Sequence, residues 1–509
     1  MTDYHPEKAH DSISGRQRIR RIAIVGGGTA GWMAASTLVR ILGNSCSIQL
    51  VESAEIGTVG VGEATIPPII DFLRFLSINL DDFVARTQAT YKLGIGFRDW
   101  LRPGHRYWHP FGLFGTQINR VPFYHYWHKA RALGLDVTLD TFNVEIALAE
   151  ANKFILPTDS SGAAPDLRYA LHFDASLVAR YLRAYAEHLG VERLERKVVA
   201  ATRREDGFID ELVFENGGRL QADLYIDCSG FRGLLIEETL HTGYDDWTRY
   251  LPCDRAVAMP TALQGPRTPY TLSSARPAGW QWRIPLQHRV GTGYVYCSSH
   301  VSDDAALQDL RTVLGQEPLA DPRFLRFVTG RRKQFWNRNC VALGLASGFL
   351  EPLESTSIHM IVSGLYSLID HFPDMSFDAA NIAHYNQQLI YELEQVRDFI
   401  VLHYCATERT DSPLWNYCRN MPIPDSLTER MELYRSTGRI FQKRYELFTD
   451  LSWFFVMDGL GLAPRAYNPV VDTVDFEQVK RIMSEVQTRV AASVAAAPSH
   501  DSFFAGVSG

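Results

Sequence analysis

The chain has no apolar run long enough to cross a bilayer, which takes roughly 18–20 residues. Its first residues, Met1–Ser14, are polar and lack the apolar core of a secretory leader, so a cytoplasmic setting is expected. Cysteine is sparse. The seven are scattered at 46, 228, 253, 297, 340, 405 and 418, with no C-x-x-C pair. That argues against a disulfide framework and a zinc site, and fits a reducing compartment. Basic clusters are also missing: the formal net charge is −7, and the short run Arg16–Arg21 reads as a solvated entry to the fold. Nucleic acid and acidic membrane are therefore not expected as partners, because phosphate binding needs clustered Lys and Arg. No internal repeat is evident.

What the chain does have is a glycine-rich start. Ile22–Val25 is a short apolar run that reads as a strand. Gly26, Gly28 and Gly31 follow in G-x-G-x-x-G spacing, and Ala30–Leu42 has helical character. In such a unit one glycine makes the tight turn, the next lets backbone approach a pyrophosphate, and the third lets helix pack on strand. The helix N-terminus then faces the phosphate. A second apolar run, Cys46–Val51, ends at Glu52, about 20 residues further on, where an acid accepts a ribose hydroxyl. Strand, glycines, helix and acid together point to dinucleotide binding.

Further along, Gly57, Gly60 and Gly62, followed by Pro67 and Pro68, describe a shaped loop. Asp71–Phe97 is expected to be mainly helical and to carry Lys92. Residues 99–127 are crowded with aromatics and histidine, either as an irregular packed layer or as walls around a flat arene. Leu171–Leu189 reads as an amphipathic helix and Val198–Leu220 as hairpin strands. Leu224–Gly230 and Cys340–Gly348 read as strands ending in small residues, and residues 253–300 alternate in β fashion. Ala379 to about Thr437 and residues 475–495 have helical periodicity. The expected fold class is α/β: a Rossmann-like box with β-sheet layers, plus a mainly helical subdomain. The expected division is a loose tail at 1–19, a discontinuous nucleotide-binding domain at 20–375 and a helical substrate-binding region at 376–495. A second loose tail is expected at 496–509.

Four more stretches narrow the reading. They are Gly62-Glu-Ala-Thr-Ile-Pro67, Tyr91-Lys-Leu-Gly-Ile-Gly-Phe97, Gly279-Trp-Gln-Trp-Arg-Ile-Pro285 and Phe349-Leu-Glu-Pro-Leu-Glu-Ser-Thr356. Together with Gly26–Ser36 they resemble the flavin-dependent halogenases of the tryptophan halogenase family, over roughly residues 20–465. His403-Tyr404, Arg409, Asp411, Pro413 and Trp415 match a further family stretch. The resemblance implies that the dinucleotide is FAD, taken as FADH2 from a separate flavin reductase. With O2 and chloride or bromide it yields hypohalous acid. The acid reaches Lys92, which either hydrogen-bonds it or carries the halogen as a haloamine. Glu354 assists attack on an electron-rich arene, and halide sits near the backbone amides of Thr356 and Ser357. The implied cofactor-binding set is Gly26, Gly28, Thr29, Ala30, Gly31, Glu52, Ser53, Val61, Gly62, Glu63, Ala64 and Leu345. Trp280, Trp282, Ile284 and Pro285 line the tunnel, and the tryptophans bar the arene from the flavin. His109 and Phe111 abut the arene. A homodimer is plausible on the same ground.

The residue chemistry suits those roles. An ammonium donates hydrogen bonds, and desolvation draws its pKa down. A poorly solvated Glu354 can hold a proton or stabilise a cation, or it can cap the helix beginning near Ile358. Trp280 and Trp282, two apart on a strand, face one side. The chain departs from tryptophan-using members at Tyr434–Leu460, where their tyrosine pair and Phe-Trp step are missing. Glu446 is the one candidate there for an ammonium partner. Ser357 also stands where those enzymes often have glycine. The expected substrate is therefore indole, a substituted indole or another arene without an amino-acid handle, with bromide favoured. An FAD-dependent aromatic monooxygenase would share the glycines but needs neither Lys92 nor the tryptophan pair. A flavin-binding scaffold would need none of them.

Overall fold

The computed structural model describes residues 17–53, 62–157 and 167–504. One sheet has six strands in the order Trp336–Asn337, Cys340–Ala342, Leu224–Asp227, Arg21–Val25, Ser47–Glu52, Glu192–Glu195. All neighbours run parallel except the first pair. A parallel sheet is covered on both faces, so its inner strands must be apolar throughout. Ile22–Val25, Leu224–Ile226 and Cys340–Ala342 meet that demand, and all of them are buried. The sheet is thus assembled from stretches far apart in the chain, as an α/β fold of this kind requires.

The helix Thr29–Leu42 covers one face and packs on Ala175–His188, where Ser36 Oγ donates to the Leu182 carbonyl at 3.3 Å. Asp174 starts that second helix by accepting from the backbone N–H groups of Ser176 and Leu177. The helix expected over 171–189 therefore begins only at Ala175. Residues Ala170–Asp174 are instead a central strand between Gly62–Ala64 and Thr90–Lys92.

The helical expectation over 71–97 is also corrected. Helices occupy Pro68–Phe75 and Leu80–Arg86, but Thr90–Lys92 and Gly94–Arg98 are strands, so Lys92 stands on a strand. Tertiary pairing overrides helix propensity here. Gly94–Arg98 pairs with Arg106–Pro110 so closely that a Cβ at Gly94 would lie 2.7 Å from the His109 carbonyl oxygen. These two strands sit at one edge of a seven-stranded sheet that also holds Thr271–Arg276, Gly279–Pro285, Val290–Tyr296, Arg255–Thr261 and Arg323–Arg326. The β character expected at 253–300 is present, as is the hairpin sheet of Val198–Arg203, Ile209–Phe214 and Arg219–Gln221.

Helices follow at Ser357–Asp370, Ala379–Cys405, Pro413–Asn420, Asp425–Thr437, Asp450–Gly459 and Phe476–Ala496. The 27-residue Ala379–Cys405 is about 40 Å long at 1.5 Å per residue and brings His403 to the middle of the molecule. The loose tail expected from 496 is contradicted up to Phe504. His500 and Phe504 are buried against Tyr91, whose ring stacks on Phe154 at 4.4 Å. Two adjacent phenylalanines, Phe503 and Phe504, anchor a stretch that composition alone reads as polar and small. Of the expected N-terminal tail only 17–19 are described, and Ile19 is buried. Among the described residues no helix is long and apolar enough to cross a membrane.

Candidate active site

The glycine turn is shaped by close approach. Gly26 has φ +117°, and a Cβ there would meet the Cys228 carbonyl oxygen at 2.2 Å. A Cβ at Gly31 would lie 1.8 Å from the Gly26 oxygen, so only glycine lets the helix sit this near the strand. Gly28 is the opposite case: nothing lies within 4 Å of its missing Cβ. It precedes Thr29 and Ala30 at a helix N-terminus that has no side-chain cap and no acid in its first turn. That leaves open space faced by unpaired N–H groups, which suits a pyrophosphate. The turn Gly344–Ala346, carrying half-buried Leu345, presses on the same helix start; a Cβ at Gly344 would be 2.7 Å from Ala30 Cβ.

Glu52 ends its strand with the carboxylate over Gly27, paired to Arg193 and 3.8 Å from Arg183. Ser53 follows it, and Val61 lies outside the described residues. Gly62, Glu63 and Ala64 form a short strand, and burial pushes the Glu63 carboxyl up to about 7. The donors at the helix start and the acid at the strand end fit the phosphate and ribose of FAD. Sequence reasoning missed Asp227. Its fully buried carboxylate accepts from the N–H groups of Ser229, Leu235 and Ile236, which fixes the second turn against Gly26.

Lys92 is wholly buried. Its Nζ donates to the Thr65 carbonyl at 2.9 Å and to Ser355 Oγ at 2.8 Å, and lies 5.1 Å from the Phe111 ring centre. Burial lowers its pKa to about 7, with the nearby Glu354 charge opposing the fall. Sequence reasoning did not single out Thr65 or Ser355.

Glu354 is equally buried and lies between two histidines. His109 Nδ1 is 2.6 Å from Oε2, and His403 Nε2 is 2.8 Å from Oε1, the latter close but poorly aligned. Burial alone would raise this carboxyl, yet His109 and His403 hold it down at about 2. A carboxylate can only accept, so His109 Nδ1 must carry a proton where it meets Oε2. His403 Nδ1 in turn meets the Tyr107 hydroxyl at 2.7 Å. Burial keeps Tyr107 neutral and lowers the pKa of His403. Glu354 therefore does not cap the following helix. That helix, Ser357–Asp370, starts after Thr356 with no side-chain cap and no first-turn acid, leaving amide donors beside Thr356 and Ser357.

Trp280 and Trp282 share one face of their strand, with ring centres 6.1 Å apart. Ile284 is buried against the Gly62 strand, and Pro285 accepts from Thr90 Oγ1 at 2.6 Å. Trp280 Nε1 and the Tyr404 hydroxyl both donate to Glu351 Oε2 at 2.8 Å. Burial raises Glu351 to about 7 against the pull of those two donors. Around His109 stand Phe111, Phe399 and Phe448, with Trp453 edge-on to Phe399 at 4.8 Å. The expected pocket residues Lys92, His109, Phe111 and Glu354 thus come together. Tyr107 and His403 had no assigned role, because nothing local in sequence links residues on a strand and a distant helix.

The sequence profile of a known family, described as tryptophan halogenase, matches residues 21–476. The chain belongs to the tryptophan halogenase family. Tryptophan 6-halogenase SttH of Streptomyces toxytricini is 33% identical over 516 residues, spanning 95% of this chain and 98% of that protein. Among solved structures, Xcc4156, a flavin-dependent halogenase from Xanthomonas campestris, has a TM-score of 0.93 at 45% identity, covering 96% of this chain and 98% of that one. BrvH, a flavin-dependent halogenase from Brevundimonas sp. BAL3, has a TM-score of 0.92 at 44% identity, covering 96% and 99%. This tryptophan halogenase family member is an oxidoreductase. Its cofactor is FAD, used as FADH2 from a separate reductase together with halide and O2.

Proposed function

We propose that this halogenase acts on indole, a substituted indole or a similar electron-rich arene that lacks an amino-acid handle, with bromide favoured and Lys92 as the delivering group. Bound FADH2, with O2 and halide, supplies the hypohalous acid. The glycine turn, Glu52, the Gly62–Ala64 strand and Leu345 hold the cofactor. Amides at Thr356 and Ser357 hold halide. Trp280, fixed by Glu351, and Trp282 beside it keep the arene away from the flavin.

The observation that carries the reading is the setting of Lys92. As an ammonium it has three N–H groups, and two are taken by Thr65 and Ser355. The third is left for the oxygen of hypohalous acid, beside the Phe111 face. Donation there weakens the oxygen–halogen bond as the arene attacks; Lys92 passes that proton to the leaving oxygen, which departs as water, and the amine takes a proton back from solvent. Glu354 supplies negative charge close to the developing arenium cation.

Glu446 supports the absence of a handle. Its Oε1 is paired with Arg430 at 2.6 Å and with the Tyr391 hydroxyl, and the side chain is buried, so it does not offer a free charge to an ammonium. Ser357, which opens the halide helix, supports the altered halide preference.

The test is direct. The protein is mixed with FAD, a flavin reductase, NADH and bromide or chloride, and offered indole, tryptophan and phenols, with products read by mass. Brominated indole as the main product is expected. Absence of halogenated product from every arene, or full activity in Lys92→Ala, would sink the proposal; a clear preference for tryptophan would overturn the substrate part alone.

A further inference from the structure

We propose that His109 Nε2 takes the ring proton from the halogenated arene, with Glu354 holding the imidazole from behind and His403 and Tyr107 positioning Glu354. This rests on the halogenation reading above.

Oε2 of Glu354 is taken by His109 Nδ1 at 2.6 Å, and His403 Nε2 lies 2.8 Å from Oε1 without hydrogen-bond alignment. Because the carboxylate accepts only, His109 must carry its proton on Nδ1, and in the neutral ring Nε2 then bears the lone pair. The Tyr107 hydroxyl meets His403 Nδ1 at 2.7 Å, which holds the other edge of that ring, Nε2, beside Glu354.

Among the described residues the hydrogen bond of the His109 ring is made through Nδ1, and Nε2 has no hydrogen-bond partner. The ring lies among aromatic faces: Phe399 at 5.2 Å, Phe448 at 5.7 Å and Phe111 at 6.4 Å between centres. Phe111 also lies under Lys92 Nζ. The group that delivers halogen and the lone pair that receives the proton therefore flank one aromatic side chain.

The step balances. Once the carbon–halogen bond has formed, the ring C–H bond breaks and its electron pair restores aromaticity. The proton passes to His109 Nε2, the resulting imidazolium is held by the Glu354 carboxylate, and the proton leaves to water with product release. The arrangement is a carboxylate–histidine pair acting as general base, in which the carboxylate fixes the tautomer and steadies the cation.

His109→Asn keeps a donor for Glu354 and removes the base. The full chain with FAD, reductase and bromide is given indole or ring-deuterated indole. In parallel, hypohalite is trapped by a scavenger without arene. For the unaltered enzyme, fast proton loss gives no isotope effect. For His109→Asn, product formation should fall about 100-fold or more, a primary deuterium isotope effect should appear, and the trapped hypohalite should be unchanged. An unchanged rate, or a slower rate with no isotope effect, overturns the proposal, the second outcome leaving His109 as a stacking group only. Failure of the unaltered enzyme to make hypohalite or haloindole defeats the underlying reading instead. If His109→Asn does not fold, Tyr107→Phe leaves the His109–Glu354 pair intact. A weaker isotope effect is then expected, and its absence counts against the relay.

Discussion

The flavin cradle and the lysine chamber are built on different principles. The cradle is mostly backbone. A strand, a turn and a helix start contiguous in sequence, and a distant turn at residues 344–346 closes against them. The chamber is mostly side chains, drawn from residues 65, 92, 107, 109, 111, 354, 355 and 403 in several distant stretches of the chain. Backbone donors at a helix end need only steric permission, which glycine gives. A buried lysine, a carboxylate and two histidines need mutual neutralisation, because an unpaired buried charge costs several kcal/mol. The lesson is that the cradle depends on steric permission along one stretch, whereas each chamber residue depends on partners brought to it by the fold.

Substitutions can break that contrast. The largest effect is expected from Lys92→Ala. Halogenated product should fall by about a thousandfold, while oxidation of reduced FAD continues at its usual rate, read by product mass and by flavin absorbance. A parallel loss of flavin oxidation would show that cradle and chamber are not separable. Next is Glu351→Leu, which strands the Trp280 and Tyr404 donors in the interior. About 2–5 kcal/mol of stability should be lost, against about 1 kcal/mol for Glu351→Gln, measured by denaturant unfolding. Equal losses would show that the Trp280 wall does not depend on this carboxyl. Gly31→Val should weaken FAD binding about 10- to 100-fold, seen in a flavin fluorescence titration, with Trp emission from the chamber unchanged.

Two pH effects are smaller and sharpen the comparison. Lys92 is an ammonium below about 7 and an amine above it, since burial lowers it from 10.5. Product formation should therefore decline through one deprotonation near pH 7 as pH rises, without a matching change in flavin oxidation. A profile that rises through that point would favour the haloamine route. Glu351 has the opposite linkage. Its folded value of about 7 lies above its ordinary 4.5, so the folded chain holds a proton that the unfolded chain has lost. Stability from this group is full below 4.5 and is lost as pH climbs to 7. Glu351→Gln cannot lose it, so the Tm of the variant relative to the unaltered enzyme should be higher at pH 8 than at pH 5.

The cradle was readable from its residues almost completely. Strand, glycine spacing, helix and Glu52 stand in the expected order, because all are short-range features with a fixed period. Lys92 was found by its motif but placed on a helix, and the strand appears only when Gly94–Arg98 pairs with Arg106–Pro110. Trp280 and Trp282 were correctly set on one face by strand alternation alone. Glu354 was found as well, yet its capping alternative is excluded only by the two histidines. One of those, His403, sits in an apolar helical stretch with no local sign that it faces Glu354. The end of the chain was misjudged for a related reason: small residues around Phe503 and Phe504 read as a tail until Tyr91 and Phe154 are beside them.

The sequence by itself determined the glycine turn, the α/β class and the shared face of Trp280 and Trp282, because periodicity and steric permission act over a few neighbouring positions; Lys92 and Glu354 are marked by the family resemblance alone. Only the tertiary structure decided that Lys92 is desolvated, that Glu354 is a clamped anion, that Glu351 holds a proton into neutral pH, and that His109 meets Glu354 through Nδ1. Those properties come from burial and from charges brought together across hundreds of residues. Proton affinity depends on that assembled environment and not on the order of residues along the chain.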